Sequence, residues 1–357
     1  MGLTFKSNIA SVKKLSLASG FLGPQDFKTY ADFNTQEYLK NGNEVTLSNI
    51  ISSQRSAVSY ALSSDVLDNF SIVPINTPIR SYIYDYKTFG IYPDWADRIN
   101  RMLDVRSDQV WIGSIPEDNV IYSIYSLDSG NATVNTAEFN VLSGNGSAES
   151  PMYFKHLSNG VPKLANITRL NGCLSCVVQT CYFGETLLVP HKDQTIASNE
   201  TLKIEIDSSS QGTIFFKVAG AKRKALQASP LTPLMQLKQN ANNYLSVAIQ
   251  PDNAVSLRYF INGVEAGFFK SNKVFISREN LNKFALSWSN GVITLSANGQ
   301  TEFIAALSMG AEFRPIESTI ISPISGWLDV VSNMSLFELA TYNRRLVTTE
   351  MGLATSG

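Results

Sequence analysis

Two tight-turn signals near the end of the chain constrain its fold more than any other feature. Asn-Gly pairs occur at 290–291 and again at 298–299. Both central residues of a type I′ hairpin turn need a positive φ, which Asn and Gly adopt at low cost. On both sides of the first pair, from 283 to 297, side chains alternate between two faces with the period of a β-strand. Two such hairpins in succession predict an antiparallel meander, which usually builds a sandwich or a barrel.

Further strand patterns extend this character through the second half of the chain. Turn-forming residues separate them at intervals of roughly eight to twelve residues, the spacing of a β-sandwich. The predicted strands are Leu174–Phe183, Thr201–Asp207, Thr213–Val218, Tyr244–Ile249, Ser256–Asn262 and two strands between Leu328 and Ala340.

The last strand leads into the segment Y-N-R-R-L-V-T-T-E at 342–350. This order resembles the closing signature of laminin-G-like, concanavalin-A-like jelly rolls, and the resemblance covers roughly residues 169 to 355. It implies a mostly β fold, an antiparallel sandwich in which Leu174–Phe183 is the opening strand. Thr348 to Glu350 predict one short helical turn. The signature implies no function, because function depends on sites placed on such a scaffold.

A second resemblance covers residues 27–103. The order of its motifs is similar to a cassette of tailed-bacteriophage tail and virion proteins, although Arg80 comes one residue late and the turn reads Arg-Ser-Ala rather than Arg-Ala-Ser. This resemblance implies a virion protein and carries no activity. The matching positions are Asp32-Phe33, Arg55-Ser56-Ala57, Asn76, Pro78, Arg80, Tyr84-Asp85, Gly90-Ile91, Asp94, Arg98, Asn100 and Leu103.

The end of this cassette also has a local interpretation. Pro93 is placed to begin a helix, Asp94 and Arg98 are spaced to pair at i, i+4, and an apolar stripe of Trp95, Ile99 and Leu103 follows the same spacing. The pattern predicts a short helix whose tryptophan is a packing residue rather than a sugar platform.

The domain organisation that we predict has four parts. Residues 1–26 form an N-terminal arm, 27–103 the attachment and assembly cassette, and 169–357 the jelly roll. Residues 104–168 form a β-rich segment, with strands at Val120–Leu127, Ala137–Leu142 and Met152–Leu157. The pattern leaves open whether this segment is a small domain or the first strands of the sandwich, and it places the seam near Gly160-Val161-Pro162. The sandwich is thus preceded by a mixed, extended N-terminal region.

Composition limits the classes of partner. The net charge is −1, charged residues make up 17% of the chain, and the densest basic group is Lys222-Arg223-Lys224. A nucleic-acid-binding surface needs a stronger positive footprint. No apolar run has the length of a membrane span, and the N-terminus lacks a secretory pattern. Three cysteines cannot all pair. We therefore expect a soluble product made inside the cell, with no membrane insertion.

One candidate zinc site consists of Cys173, Cys176 and Cys181, with His191 as a fourth ligand. Zinc prefers ligands presented on turns. Here the run reads as a strand, whose adjacent side chains point to opposite faces, so buried cysteines are favoured.

Glu205 and Asp207 place two carboxylates on one strand face, as in jelly-roll glucanases with a Glu-x-Asp-x-x-Glu motif. Glycoside hydrolysis needs correctly separated carboxyl groups, and the third acid position is Ser210. The only histidines are His156 and His191, and no serine or metal hydrolase motif occurs. The sequence therefore predicts no enzyme and no catalytic residue.

Calcium is the one cofactor left open, because laminin-G-like domains often hold one ion through loop oxygens. The candidates are Asp207, Asp252 and Asp329. No spacing singles them out, so we expect no cofactor and assign neither metal-binding nor ligand-binding residues.

Together these patterns predict that the protein is a structural component of a bacteriophage virion, in the tail or tail fibre, and that it is made in the host cytoplasm. We expect a homo-oligomer, a trimer or higher, that contacts other virion proteins. The jelly roll would be displayed for contact with a protein or a host surface glycan. The alternatives are a lectin-like carbohydrate-binding module outside any virion, and a capsid decoration or head-fibre protein. An enzyme would require an acidic pair assembled from distant loops.

Overall fold

The structure is a computed structural model. It describes residues 21 to 357 except for 56–58, 65–69, 84–85, 92–97, 100–101, 106–108, 113–119, 127–128, 135–138, 148–149, 151, 157–162, 175, 183–194, 197–199, 208, 221–230, 278–279, 305–312 and 322–333.

Two large antiparallel sheets form the body of the fold. The strand order of the ten-stranded sheet is β27-β26-β25-β20-β29-β1-β2-β3, with the β7–β8 hairpin attached to β29. Its strands are β1 (Thr29–Asp32), β2 (Glu37–Lys40), β3 (Asn43–Glu44), β7 (Arg80–Ile83), β8 (Thr88–Ile91), β20 (Gln211–Gly220), β25 (Asn282–Ser289), β26 (Val292–Ala297), β27 (Gln300–Ile304) and β29 (Met334–Tyr342).

The second sheet has seven strands in the order β24-β23-β22-β21-β28-β19-β4. A 3₁₀ turn at Leu47–Asn49 carries the chain from the first sheet into it. Its strands are β4 (Ser52–Gln54), β19 (Thr201–Glu205), β21 (Thr232–Lys238), β22 (Tyr244–Ile249), β23 (Ala254–Ile261), β24 (Val264–Phe275) and β28 (Glu317–Ile320).

One hydrophobic core lies between these two sheets. Alternate residues of each strand enter it, for example Ile214, Phe216 and Val218 from β20 and Val255 and Leu257 from β23. Burial of the inner faces of both sheets is what defines a sandwich. The predicted fold class, a mostly β antiparallel sandwich of the jelly-roll kind, is confirmed.

The tight turns adopt the predicted backbone. Asn290 and Gly291 have φ values of 47° and 78°, and Asn298 and Gly299 have 49° and 80°. A positive φ at both central positions is the type I′ requirement. The strands β25, β26 and β27 accordingly form consecutive hairpins.

The C-terminal helix covers the outer face of the ten-stranded sheet. This helix, α1 (Thr348–Thr355), is longer than the single turn that the sequence predicts. Its Met351 and Ala354 belong to a second apolar cluster with Phe215 and Ala340 from the sheet and Phe21 from the N-terminal segment. The helix therefore seals a hydrophobic patch that would otherwise face water. No helix in the described part of the chain is long and apolar enough to cross a membrane.

Residues between β8 and β19 form further sheets. One is five-stranded, with the order β10-β17-β12-β15-β14, and one is three-stranded, with the order β11-β16-β13. Their strands are β10 (Met102–Val105), β11 (Gln109–Ile112), β12 (Val120–Ser126), β13 (Asn131–Val134), β14 (Phe139–Ser143), β15 (Met152–His156), β16 (Lys163–Leu170) and β17 (Cys176–Tyr182).

These strands share a hydrophobic cluster that includes Ile124, Phe139 and Phe154, and within the described residues they pair with one another. The predicted seam at 160–162 lies outside the described residues, and strands on both sides of it belong to the same sheets. The four domain boundaries stay predictions.

Two elements differ from their sequence assignment. The strand predicted at Leu174–Phe183 exists as β17, but it pairs with β12 and β10 rather than opening the sandwich. The predicted helix begins at Pro93, which lies outside the described residues together with the rest of 92–97. Its later part is wrong: β9 (Arg98–Ile99) pairs with β18 (Thr195–Ile196), and Met102 begins a strand paired with β17. Distant strand partners, absent from any local pattern, override the i, i+4 spacing. A further hairpin joins β5 (Ser59–Leu62) to β6 (Phe70–Val73).

Candidate functional site

The closing signature of the chain is a structural junction. The Tyr342 hydroxyl donates to the carbonyl of Pro24 at 2.9 Å. The Arg344 guanidinium binds both carboxylate oxygens of Asp26, at 2.6 and 3.0 Å, and both of Glu350, at 2.8 and 2.9 Å. Glu350 also accepts the Val347 amide, which caps α1. The signature therefore ties the N-terminal segment and the last helix to the sheet.

This arrangement sets the charge state of the junction. The hydrogen bonds from Arg344 hold the pKa of Asp26 and that of Glu350 below their usual ranges. Burial raises the pKa of Tyr342 well above its usual range. The groups are thus fixed as an ion network, with no proton to exchange near neutral pH.

The cassette residues near the N-terminus also have structural roles. The Asp32 carboxylate accepts the amides of Asn34 and Thr35, which shapes the β1–β2 turn. Arg80 donates to the carbonyls of Phe33 and Asn34, at 2.5 and 3.0 Å, and so holds that turn from outside. Tyr84, Asp85 and Asp94 lie outside the described residues.

Arg55 is the centre of a second network. Its side chain and that of Glu200 are both fully buried, and their closest atoms, Nη1 and Oε1, are 3.1 Å apart. Arg55 also donates to the carbonyls of Val73, Pro74 and Thr77. The Arg55 amide donates to the Asn76 side chain, and Asn76 has a φ of 59°. This network joins the 73–77 turn to the strand that Glu200 precedes.

The outer face of the seven-stranded sheet gathers a different set of side chains. The register between strands places them in two neighbouring rows that cross the sheet. The first row runs Glu205, Glu317, Lys238, Tyr244, Phe260 and Glu265, and the second runs Lys203, Thr319, Gln236, Ser246, Arg258 and Phe268.

Aromatic rings lie beside an ion pair at the β22–β24 end of this face. The rings of Tyr244 and Phe260 stack at a centroid distance of 4.5 Å and an interplanar angle of 19°. Phe268 is 51% exposed at the edge of the sheet, and the Arg258 guanidinium carbon lies 5.8 Å from its ring centroid. Arg258 pairs with Glu265 at 3.8 Å. The face thus presents apolar rings beside charged hydrogen-bonding groups.

The electrostatics of this face are those of a partly desolvated surface. Burial, and secondarily the negative charge of Glu265, raise the pKa of Tyr244 above its usual value. At the other end of the rows, Glu317 accepts Lys203 at 3.5 Å and lies 4.0 Å from Lys238. The tyrosine therefore remains a neutral donor over the whole physiological pH range.

A small polar cavity lies where the end of β19 meets the β1–β2 hairpin. It encloses about 100 Å³ between the β1–β2 hairpin and the end of β19. Its charged groups are paired with one another: Lys40 with Glu205 at 3.1 Å, and Lys28 with Asp207. Asn343 donates to Asp207 at 2.9 Å. The cavity walls therefore satisfy their own charges.

The predicted acid pair falls in this cavity, beside lysines. The strand ends at Glu205, so Asp207 leaves the sheet. The hydrogen bond from Lys28 lowers the pKa of Asp207, whereas a general acid needs a raised one. The two carboxylates are brought near each other, but they lack the environment of a hydrolytic pair.

The calcium candidates do not converge. Asp207 is held by Lys28 and Asn343, and Asp252 by Lys270 at 2.6 Å. Asp329 lies outside the described residues. Within those residues, no group of three His, Cys, Asp or Glu side chains is placed to hold a metal ion.

The structure describes the side chains of two of the three cysteines. Cys173 and Cys176 form no disulfide, and both lie buried in the hydrophobic cluster of the five- and three-stranded sheets. His191 and the side chain of Cys181 lie outside the described residues.

The two outer-face rows are not evident from the sequence alone. Alternation in β22 and β23 marks Tyr244, Ser246, Arg258 and Phe260 as residues that face away from the core. Which of them become neighbours depends on register, and register depends on partner strands far along the chain.

Similarity to known proteins is found among solved structures alone. No family model and no curated protein matches the chain. One similar structure is the CBM40 of Ruminococcus gnavus IT-sialidase bound to α2,3 sialyllactose, at 14% identity over 43% of this chain and 96% of that one, with a TM-score of 0.31. Another is domain 4 of the Geobacillus stearothermophilus GH43 arabinanase AbnA in complex with arabinotriose, at 17% identity, 44% and 73% coverage, and a TM-score of 0.33.

A third similar structure comes from a study of botulinum neurotoxin type C and its interaction with two ganglioside molecules. It is 12% identical over 43% of this chain and 39% of that one, with a TM-score of 0.33. At such TM-scores the likeness decides neither family nor function. The sandwich assignment rests on the strand pairing described above.

Proposed function

We propose that the protein is a non-catalytic glycan-binding protein, and that its sugar contacts lie on the outer face of the seven-stranded sheet. One observation carries the proposal. The half-exposed ring of Phe268 lies beside Arg258 and Glu265, next to the Tyr244–Phe260 stack.

The chemistry of a sugar fits such a surface. One face of a pyranose ring carries C–H groups and packs against an aromatic ring, which offers a large apolar area. The hydroxyl groups around the ring need donors and acceptors in fixed directions. Arg258 supplies N–H donors, Glu265 supplies carboxylate acceptors, and Tyr244 can do either. An apolar platform with a few placed polar groups is the usual composition of a small-ligand site.

A matched pair of variants tests the location of the site. Phe303 on β27 is 57% exposed and also has an arginine over its ring, since the Arg345 guanidinium carbon lies 5.7 Å from its centroid. It belongs to the other sheet. We expect the full chain to bind defined members of a glycan array, and Phe268→Ala to weaken that binding about tenfold or more, as stacking platforms do. Phe303→Ala should leave it within about twofold.

Three results would reject this assignment: no glycan bound by the folded chain, equal losses for the two alanine variants, or no loss for Phe268→Ala. Arg258→Gln provides a second test of the same site. It should weaken binding while circular dichroism shows an unchanged fold. Incubation of each bound glycan with the protein should leave its glycosidic bonds intact, in line with the expected absence of catalysis.

We also propose, on different grounds, that the protein is a component of a virion. This proposal is supported by the resemblance of residues 27–103 to the phage cassette, with Arg55, Asn76 and Arg80 as its matching positions. On this proposal the sandwich is displayed outward and contacts a host glycan. Mass spectrometry of purified phage particles should find the chain at a fixed copy number. Absence from the particles would leave the carbohydrate-binding module outside a virion as the better description.

A further inference from the structure

The strand β24 lies at one end of the seven-stranded sheet and leaves its outer edge open. Among the described strands it is hydrogen-bonded on one side only, to β23. It is 12 residues long, and its burial pattern is mostly exposed. Val264 is 68% exposed and Phe268 51%. A long, exposed edge with apolar side chains is a template for another strand unless a protein blocks it.

One half of this edge is blocked. The backbone amides of Asn272 and Lys273 donate to the Glu302 carboxylate at 3.2 and 3.1 Å, and the Ser271 hydroxyl bonds to the same group. Glu302 belongs to β27, the edge strand of the opposite sheet. Residues 264–270 lie beyond this carboxylate and keep an accessible edge.

The open half contains a charge pattern that is complementary to itself. Gly267 pairs with Tyr259 and Glu265 with Phe260, so Ala266 is the extra residue of a bulge. An added Cβ at Gly267 would lie 2.1 Å from the Tyr259 ring, so the position of that ring over Gly267 favours glycine there. Glu265, Phe268 and Lys270 then all lie on the outer face of the sheet, opposite Phe260, Arg258 and Ser256.

A two-fold axis at Phe268 would bring two such edges together. Antiparallel pairing places Phe268 opposite its own copy, Gly267 opposite Phe269, and Lys270 opposite the Glu265–Ala266 bulge. Residues opposite each other then share a face, as an antiparallel sheet requires. Each Lys270 meets a Glu265 of the other copy, and the pair occurs twice because the contact is isologous.

We infer that β24 is a homodimer interface, in which residues 264–270 of two copies pair antiparallel and join the two seven-stranded sheets into one. The occupant of the open edge is a second copy of this chain. The arrangement closes on itself and produces a dimer, not the trimer or higher ring expected from the sequence. Phe268 and Glu265 belong both to this contact and to the proposed glycan site, so the dimer would place two such faces side by side, with the two Phe268 side chains next to each other.

Charge reversal tests this interface. Sedimentation velocity of the full chain over a range of concentrations should show a monomer–dimer equilibrium. Glu265→Lys or Lys270→Glu alone places like charges opposite each other at two positions and should raise the dissociation constant about tenfold or more. The double variant E265K/K270E restores opposite charges across the axis and should recover most of the affinity. Within one chain, Glu265→Lys disturbs the Arg258–Glu265 pair, Lys270→Glu disturbs the Asp252–Lys270 pair, and the double variant disturbs both.

Recovery in the double variant therefore separates the contact between copies from the contacts within one copy. A wild-type chain that stays monomeric at its highest soluble concentration would overturn the inference. So would a dimer indifferent to both single reversals, or one that the double variant fails to restore. If a single variant does not fold, salt dependence gives a second test: the wild-type dimer should weaken as salt is added, because both pairs are exposed to solvent. A dimer insensitive to salt would count against the pairing. Lys270 belongs to the interface and not to the proposed glycan site, so Lys270→Glu, measured on the glycan array as well as by sedimentation, distinguishes failure of one proposal from failure of the other.

Discussion

The buried pair Arg55–Glu200 offers a sharp test of how the N-terminal segment stabilises the sandwich. We expect Glu200→Gln, which keeps the side-chain shape and removes the charge, to lower the free energy of unfolding by about 3–5 kcal/mol. Both side chains of the pair are 0% exposed, so water cannot solvate the arginine left behind. Burial already lowers the pKa of Arg55, and Glu200 acts in the opposite direction.

The size of this effect follows from the contacts. Glu200 Oε1 accepts Arg55 at 3.1 Å and the Ser53 hydroxyl at 2.6 Å. Arg55 also donates to three backbone carbonyls of residues 73–77. Folded proteins are stable by roughly 5–15 kcal/mol, so the loss is a large fraction of the total. Replacement of both partners, Arg55→Met with Glu200→Met, should cost less than the sum of the single changes, because no buried charge remains.

The assay is urea unfolding followed by circular dichroism and tryptophan fluorescence. Trp288, which is 2% exposed in the sandwich core, contributes a local signal. The control is Glu317→Gln, which removes a half-exposed pair with Lys203 and should cost less than about 1 kcal/mol. A Glu200→Gln variant within about 1 kcal/mol of the wild type, or a double variant as unstable as the sum of the two, would refute the reasoning.

Two further changes test the packing and the terminal junction. Gly212→Ala should lower the free energy of unfolding by about 1–3 kcal/mol and lower the melting temperature, because the new Cβ would lie 2.3 Å from a ring carbon of Trp288. An unchanged melting temperature would show that the indole ring moves aside without cost. Arg344→Gln should destabilise the protein by about 1 kcal/mol near pH 7, since the pairs are partly exposed. The pKa values of Asp26 and Glu350 are lowered in the folded protein. The stability that these two ionised carboxylates contribute is therefore present above their unfolded pKa values, near pH 4, and is lost as the pH falls through their folded pKa values. The difference between wild type and Arg344→Gln should therefore shrink below about pH 4 in unfolding curves measured across pH, and a constant difference would contradict the ion network.

Local chemistry determined much of what the sequence could predict. The Asn-Gly turns at 290–291 and 298–299 appear with the expected backbone, because only the two central residues decide the turn type. The strand predicted at Tyr244–Ile249 has the predicted bounds. Its alternation is a property of six consecutive residues and needs no distant partner.

Distant pairing explains what could not be predicted. The i, i+4 spacing between 94 and 103 is compatible with a helix, yet Arg98–Ile99 and Met102–Val105 pair with residues 71 to 98 positions further along the chain. The arrangement of side chains on the outer face of the seven-stranded sheet also depends on strand pairing. Arg258 and Phe268 become neighbours only because β23 and β24 pair in one register, with a bulge that no short pattern reveals.

The closing signature shows why a motif can identify a fold without a site. Tyr342, Arg344 and Glu350 each bind a partner that holds a terminus in place. Their spacing reflects assembly of the sheet, so it carries no information on which surface meets a ligand.

The position of β1 between β2 and β29 has a consequence for synthesis of the chain. Tyr30 and Glu338, which are hydrogen-bonded to each other, lie 308 positions apart. At about 5–20 residues per second, a ribosome needs roughly 15–60 s to make the chain between them. During that interval β1 has emerged without its β29 neighbour, while the strands between β8 and β19 already have theirs. The order of emergence therefore favours early folding of the inserted sheets, and the sandwich closes last, when the ribosome reaches the C-terminus.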